Sequence, residues 1–409
     1  MVGRRDAGQE PALAKAGVGE LVLPAIERSG PVEVWIIDDT GFPKKGRHSV
    51  GVTRQYCGQL GKQDNCQVAV TLSLANHDAS LPIAYRLYLP EDWAKDQARR
   101  HKAKIPETMA FHTKPEIALE QIKAARSAAL PQGVVLMDAG YGNDTSLRTE
   151  ITALDMSYVA GIGPNTSVWP PGVAPLLPQT RSARGRPQTR LQRDEAHQPV
   201  TVKALALSLP EEVWQTIAWR EGSADWLASR FARQRVRPAH RDNLLSEPRG
   251  RVAADRVAAG RNRAVYWFAT LPEDIAFDRL VDLAKLRWRI ERDYQELKQE
   301  LGLGDYEGRG WRGFHHHATL CIAAYGFLIA ERGAIPPSGP RFSSQLSGSA
   351  IPEGYRPRGA ADPTRTAHPQ LDRNNPKAPH RRARQDPSEM PLLQYADPQD
   401  GKNSRLLTQ

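Results

Sequence analysis

Three acidic residues lie far apart in the sequence, in segments that could bring them to one site. Asp39 ends the run EVWIIDD and Asp138 ends the run VVLMD, and both runs have the apolar, β-branched composition of a buried strand. Glu291 lies in a segment with helical periodicity. Three carboxylates can hold the two hard cations that phosphodiester chemistry uses to bind its attacking and leaving oxygens. The residue types therefore predict a Mg²⁺ site, although any single aspartate at a strand end can instead cap a turn or a helix.

Basic and aromatic residues share the predicted helix face with Glu291. Arg287, Glu291, Tyr294 and Lys298 follow one another at intervals of four, three and four residues, which places them on one side of a helix. Arg287 and Glu291 could form an ordinary ion pair on a solvated surface. Alternatively, the two cations could bind phosphates on either side of a metal-binding acid. The pattern leaves both interpretations open.

The elements that must position these acids alternate in type. Strands are predicted at residues 33–39, 67–74, 83–89, 134–138 and 156–162. A helix is predicted between Pro115 and Pro131, and a shorter one after Asp144. The resulting order, β-β-β-α-β-α-β, indicates an α/β fold in which the first and fourth strands are neighbours. Asp39 and Asp138 would then lie close together.

Composition divides the rest of the chain. A stretch rich in Pro and Arg begins an inserted domain at residues 164–277, and helical periodicity returns over residues 278–332. Residues 31–163 and 278–332 would therefore form one core. Residues 333–409 are rich in proline and lack periodicity, so we expect them to be largely disordered.

The charge balance limits the class of partner. Lys and Arg number 56 against 46 acidic residues, and a net charge of +10 favours a polyanion such as nucleic acid. Three cysteines without C-x-x-C spacing fit neither a disulfide framework nor a zinc site. The longest apolar run is about half of the roughly 20 residues needed to span a bilayer, and the first residues lack the apolar stretch of a signal peptide. We therefore expect a cytosolic protein without a membrane segment.

The helix around Glu291 resembles that of DDE-type insertion-sequence transposases, in the group with a Tyr, Arg, Glu, Lys signature. The segment RWRIERDYQELK supplies Arg287, Glu291 and Lys298 at the spacing of that signature, and Ala284 stands at the place of its tyrosine. The resemblance extends over about residues 31–332.

The first two acid blocks of the same family resemble two further segments. These are DDT at residues 38–40 and MDAGYGND at residues 137–144. In the first block, the family's metal ligand corresponds to Asp39 rather than Asp38. The resemblance therefore implies that Asp39, Asp138 and Glu291 are the catalytic residues and the ligands of Mg²⁺, for which Mn²⁺ can substitute.

The resemblance also implies a fold and an activity. The expected fold is an RNase H-like catalytic core, β-β-β-α-β-α-β followed by helices, interrupted by an insertion domain rich in β-structure. Members of the family cut double-stranded DNA at transposon ends and join the freed 3′-OH to target DNA, steps that are all phosphoryl transfers. The expected partners are transposon-end DNA, target DNA and a second copy in a homodimeric synaptic complex. The expected location is the bacterial cytoplasm, in association with the nucleoid.

Several residues are predicted to contact DNA. Arg287, Tyr294 and Lys298 would do so from the helix of the third acid. Trp267 stands where relatives carry a tryptophan that stacks on a flipped base, although it could equally fill the core of the insertion domain. The loop after Asp39 adds basic residues that could bind phosphate or simply be solvated: Lys44, Lys45 and Arg54.

Two features depart from the family pattern. Because 38 residues precede Asp39, we interpret residues 1–30 as a short N-terminal remnant of the helical end-binding region. Residues 248–261, PRGRVAADRVAAGR, are not a good strand sequence, which suggests a partly degenerate or frame-shifted copy. The alternative function is therefore a catalytically defective DNA-binding remnant of a transposase. A host nuclease with an RNase H-like fold is disfavoured by the helix signature.

Overall fold

The computed structural model describes residues 17–176, 193–221, 226–239, 251–256 and 264–334. The described residues all belong to one compact unit, Met1–Ile335. The predicted disorder of residues 333–409 falls outside the described part of the chain, except that the last helix includes residues 333 and 334.

The strands and helices have the following bounds. The strands are β1 (Val34–Pro43), β2 (Thr53–Cys57), β3 (Lys62–Ala75), β4 (Ser80–Leu87), β5 (Val134–Met137), β6 (Tyr158–Ile162), β7 (Ser167–Trp169), β8 (Val200–Thr201), β9 (Gln215–Glu221), β10 (Trp226–Arg235), β11 (Arg237–Pro238), β12 (Arg251–Arg256) and β13 (Ala264–Ala269). The helices are α1 (Gly17–Ser29), α2 (Glu91–Lys95), α3 (Gln97–Ala103), α4 (Lys114–Ser127), α5 (Ala139–Gly142), α6 (Thr145–Ala153), α7 (Val202–Ser208), α8 (Phe277–Lys285), α9 (Trp288–Gln299) and α10 (Trp311–Ala334).

A large mixed sheet organises the described residues. Its strands run in the order β2, β3, β1, β5, β6, β13, β12, β10, β9, and β4 pairs with β3 off this path. Strand β1 is antiparallel to β3 and parallel to β5, and β5 is parallel to β6. The sheet confirms the predicted α/β class and the predicted contact between the first strand and the strand that precedes Asp138. It is consistent with an RNase H-like core.

Helices cover both faces of the central strands. Residues 34–37 are fully buried, as expected for a strand without a solvent-facing side. Val34 and Ile36 pack with α8 and α9, whereas Trp35 and Ile37 pack with α4 and α6. The two faces of β1 therefore look towards different helices, and this alternation decides where the acids that follow can point.

Helix α4 begins where the sequence predicts it. Thr113 and Glu116 form a reciprocal capping box, and Pro115 lies in the first turn. Gln121 in the middle of the helix donates a hydrogen bond to Val70 O on β3, 3.0 Å away. The cap and this cross-link fix the start of the helix beside β1, and they bring Lys114 to the first acid block.

The first strand is longer than predicted, and the elements that the sequence did not predict include strand β2 and helices α2 and α3. Strand β1 continues past Asp39 to Pro43, because Thr40 and Phe42 bury their side chains. The edge strand β2 has the polar, half-exposed sequence TRQYC, which gives no apolar signal. Helices α2 and α3 are only five and seven residues long, too short for visible periodicity.

The prediction that residues 248–261 lack a strand is wrong for residues 251–256. These residues form β12, which pairs antiparallel with β10 on one side and with β13 on the other. A strand with partners on both sides can tolerate poor β propensity, because its backbone hydrogen bonds are all provided by its neighbours. On its other side β13 pairs antiparallel with β6, through Tyr266–Ala269. Strands between the second and third acids thus continue the sheet that carries the first two.

No helix among the described residues is long and apolar enough to cross a membrane.

Candidate active site

The two predicted strand-end acid blocks meet at one edge of the sheet. Strands β1 and β5 are parallel, with Ile37 opposite Met137, so Asp38 and Asp138 are the next residues along the two strands. Residues opposite each other in a parallel pair point to the same face. Asp38 and Asp138 therefore belong to the face that packs on α9, and Asp39 belongs to the other face.

Asp38 is held by a cation at the start of α9, the N-cap residue Arg287. Its Oδ2 accepts a hydrogen bond from Arg287 Nη1 at 2.7 Å, and its Oδ1 accepts one from the backbone N–H of Asp39. Burial raises the pKa of Asp38 to about 7, Arg287 opposes this shift, and the neighbouring charges of Asp138 and Asp39 add to it. Negative charge is thus crowded at this position and depends on Arg287 for compensation.

Arg287 connects the first acid block to the third acid. While Nη1 binds Asp38, Nη2 donates to Glu291 Oε1 at 3.0 Å, one turn along α9. Burial disfavours the charge of Arg287, but Asp38 and Glu291 hold its pKa above the ordinary value. The predicted Arg287 and Glu291 pair is present, and the structure adds Asp38 as its third member.

Asp39 has different partners. Its Oδ2 accepts hydrogen bonds from Lys114 Nζ at 2.9 Å and from the Tyr141 hydroxyl at 3.3 Å. Burial raises the pKa of Tyr141 well above its usual value, and Asp39 and Asp38 add to the shift, so the phenol remains a donor. Sequence reasoning missed both partners. Lys114 has no motif, whereas Tyr141 could have been noticed because it lies inside the second acid block.

Asp138 both caps a helix and remains available to a cation. Its Oδ1 accepts the backbone N–H groups of Gly140 at 2.9 Å and Tyr141 at 3.2 Å at the start of α5. This is the capping role that the sequence left as an alternative. Because the cap uses Oδ1, Oδ2 can still serve as a metal ligand, and the two interpretations are compatible.

Tyr294 and Lys298 tie α9 to the strands of the first acid block. The Tyr294 hydroxyl lies 2.5 Å from Thr71 Oγ1 on β3. Lys298 Nζ donates to Gly41 O at 2.7 Å and to Gln59 Oε1 at 3.2 Å. Burial lowers the pKa of Lys298 to about 8. Both side chains therefore hold the helix against the sheet, next to the acids.

The remaining predicted DNA contacts lie around the site or away from it. Lys45 and Arg54 are exposed, and Lys44 Nζ donates to Tyr306 O at 2.5 Å. Trp267 is 9% exposed, packs against Phe231 with ring centroids 6.5 Å apart, and does not belong to the group of acids. Its burial favours the core interpretation, and stacking on a base stays a prediction.

The acidic donor set fits a hard divalent cation. Asp38, Asp39, Asp138 and Glu291 offer carboxylate oxygens, which are the ligands that Mg²⁺ and Mn²⁺ prefer, and no thiol or imidazole belongs to this group of acids. Burial of Asp38 among other acids also makes a compensating positive charge favourable at this place. The residues of this group therefore supply the kind of oxygen ligand that a hard divalent cation requires.

A second group of side chains could hold a metal ion, away from these acids. Ligand atoms of Glu33, His77 and Asp282 lie within 4.8 Å of one another. His77 binds Glu33 Oε2 at 3.0 Å and Asp282 Oδ1 at 2.7 Å, and Arg279 pairs with both carboxylates. Since Arg279 already compensates the two acids, we interpret the group as an ion-pair network that joins α8 to the sheet.

This network predicts a pH dependence of stability. The hydrogen bond to Asp282 raises the pKa of His77 above 6.5 in the folded protein, although partial burial opposes the shift. A raised folded-state pKa means that the contribution of His77 is fully present below pH 6.5 and is lost as pH rises through the raised value. The free energy of unfolding in urea should therefore fall over that interval, and His77→Gln should flatten the fall. A matched change on the exposed face of α10, His316→Gln, should leave the dependence of the free energy of unfolding on pH unchanged. Equal pH dependence in both variants would contradict the role assigned to His77.

Comparison with known proteins agrees with this geometry. The profile of the DDE superfamily endonuclease family matches residues 6–225, more than half of the chain. The chain therefore belongs to the DDE superfamily endonucleases. It is also 32% identical over 147 residues to a protein of Microchaete diplosiphon described as the probable transposase for insertion sequence element IS701. That alignment covers 36% of this chain and 35% of the relative, so the chain matches about a third of the relative's length.

The family match covers two of the three predicted catalytic acids. Residues 6–225 include Asp39 and Asp138, and they also include most of residues 1–30. Glu291 lies beyond the match. Its assignment rests on its place in α9 and on its link through Arg287 to the first acid block.

Proposed function

We propose that this protein is a DNA transposase of the DDE class, which cuts DNA at insertion-sequence ends and transfers the strands to target DNA. The observations that support the proposal are the adjacency of the first two acid blocks and the link from the first block to the helix of Glu291. Asp38 and Asp138 follow adjacent parallel strands, and Arg287 links Asp38 to Glu291 on α9.

The catalytic and metal-binding residues in this proposal are Asp39, Asp138 and Glu291. Mg²⁺, or Mn²⁺ in its place, would polarise the scissile phosphate and activate the attacking water or 3′-OH. Asp138 is positioned by its helix cap, and Asp39 by Lys114 and Tyr141. These contacts hold the carboxylates in defined orientations before substrate arrives, which reduces the reorganisation that catalysis would otherwise require.

The DNA surface in this proposal surrounds the acids. Its residues are Arg287, Tyr294, Lys298, Trp267, Lys44, Lys45 and Arg54. Support comes from the exposure of Lys45 and Arg54, which follow the strand of the first acid block, and from the net charge of +10. The partners would be double-stranded transposon-end and target DNA, with two copies of the chain in one synaptic complex. The place of action would be the nucleoid in the bacterial cytoplasm.

The first test separates a transposase from a DNA-binding remnant. Two duplexes of equal length are compared, one carrying the inverted repeat that flanks the gene and one scrambled. Binding to both should weaken with salt, since Lys and Arg contacts release condensed counterions. Strand cleavage should require Mg²⁺ or Mn²⁺, and Lys298→Ala should reduce it.

The outcomes of this test differ for the two functions. Metal-dependent nicking supports the transposase. Salt-sensitive binding without cleavage of either duplex, under both metals, would favour the remnant. A marked preference for the terminal duplex would argue against a remnant.

A further inference from the structure

Arg287 places a permanent positive charge between strand β1, which carries the first acid block, and helix α9, which carries Glu291. Its guanidinium reaches Asp38 Oδ2 at 2.7 Å and Glu291 Oε1 at 3.0 Å through different nitrogens. A planar guanidinium suits such a fork, because it offers several donors at fixed angles. Two carboxylates with a cation between them are also the arrangement that a divalent metal would require.

The two carboxylates that Arg287 contacts differ in their exposure to solvent. The Asp38 side chain is 15% exposed, whereas that of Glu291 is 58% exposed. Exposed ion pairs four residues apart on a helix contribute little to stability, while a buried charge that loses its partner is costly. The contact with Glu291 is therefore the one that can open, and the contact with Asp38 is the one that persists.

A cation that binds Glu291 competes with Arg287. The Oε1 atom of Glu291 already accepts a hydrogen bond from Nη2, and a nearby positive charge also repels a second one. Once Nη2 is released, the guanidinium has unpaired donors at the rim of the site. A phosphate oxygen of bound DNA is the ligand that such donors recognise best.

We propose that Arg287 is a built-in counter-ion that occupies Glu291 in the cation-free protein and moves to a DNA phosphate when the divalent cation binds. The inference rests on the proposed function and adds a coupling between cation binding and DNA binding. Cation binding frees the arginine for DNA, and DNA binding frees Glu291 for the cation. By linkage, each ligand then strengthens the binding of the other.

The direct test measures Mn²⁺ affinity by electron paramagnetic resonance in the full chain without DNA. Arg287→Gln removes the competing charge while it keeps hydrogen-bonding groups near both acids, and we expect about tenfold tighter Mn²⁺ binding. Arg292→Gln is the matched control. Arg292 lies on the same helix and pairs with Glu296 instead, so its removal lowers the net charge equally. We expect its Mn²⁺ affinity to stay within about twofold of wild type.

An additional variant separates the failure of this inference from the failure of the proposed function. Asp138→Asn should weaken Mn²⁺ binding if the acids form the metal site. Weakened binding in Asp138→Asn together with unchanged or weaker binding in Arg287→Gln would overturn the role of Arg287 alone. Unchanged binding in Asp138→Asn would overturn the metal site and the inference with it.

A measurement on the wild-type chain keeps the inference testable if Arg287→Gln fails to fold. Duplex affinity is measured against salt concentration with and without Ca²⁺, taken as a divalent cation that supports little cleavage. Release of Arg287 to one phosphate should steepen the slope of log K against log salt by about 0.9. An unchanged slope with Ca²⁺ would contradict the proposal. Where the variant folds, the increment should be absent from it.

Discussion

Replacing Glu291 with glutamine is expected to lower metal-dependent DNA cleavage by about a thousandfold or more, while duplex binding measured without divalent metal stays close to that of the wild type. The amide has nearly the shape of the carboxylate and can still accept the hydrogen bond from Arg287 Nη2. The change therefore removes the charge of the proposed metal ligand without removing a structural contact. Loss of one acid does not weaken attraction to phosphate, so retention of DNA should persist. Cleavage of a labelled duplex and filter retention of the same duplex measure the two properties separately.

The matched control for this substitution lies on the same helix. Glu300 is exposed at the end of α9, and Glu300→Gln makes the same change in charge away from the acids. We expect its cleavage rate to stay within about twofold of wild type, as for most surface changes. A comparable loss in both variants would show that α9 is sensitive to charge in general. Joint loss of cleavage and DNA retention in Glu291→Gln would point to misfolding.

The fold was predictable from the sequence where the signal was local. The run VWII is apolar at every position because helices cover both of its faces, and the helix at α4 is marked by Thr113, Pro115 and Glu116. Strand β12 carries no such signal. Its six residues include two arginines at its ends, and the strand forms because β10 and β13 supply partners on both sides. Pairing of that kind depends on distant segments and cannot be derived from the residues of β12.

The same distinction applies to the candidate site. The pair formed by Arg287 and Glu291 was predictable because a spacing of four residues on a helix fixes it. The pair formed by Arg287 and Asp38 spans 249 residues and depends on which face of β1 looks towards α9. Lys114 reaches Asp39 for an equally non-local reason, since α4 starts beside the first strand. The roles of Asp39, Asp138 and Glu291 as metal ligands remain predictions, and the substitutions above test those of Asp138 and Glu291.

Packing behind Asp138 gives the second large expected effect. Gly142 ends α5, and a Cβ added there would lie 1.9 Å from Gly161 O on β6 and 3.0 Å from Gly161 C. The obstacle is backbone, which cannot move aside as a side chain can. Gly142→Ala must therefore push α5 away from the sheet, together with the cap that Asp138 provides. We expect a loss of about 3 kcal/mol or more in the free energy of unfolding, measured in urea, and a parallel loss of cleavage.

Gly304→Ala is the control, because its Cβ would meet nothing within 4 Å, and it should change stability by less than about 0.5 kcal/mol. Wild-type stability in Gly142→Ala would show that α5 does not pack on β6 in this way, and the position assigned to Asp138 would have to be revised.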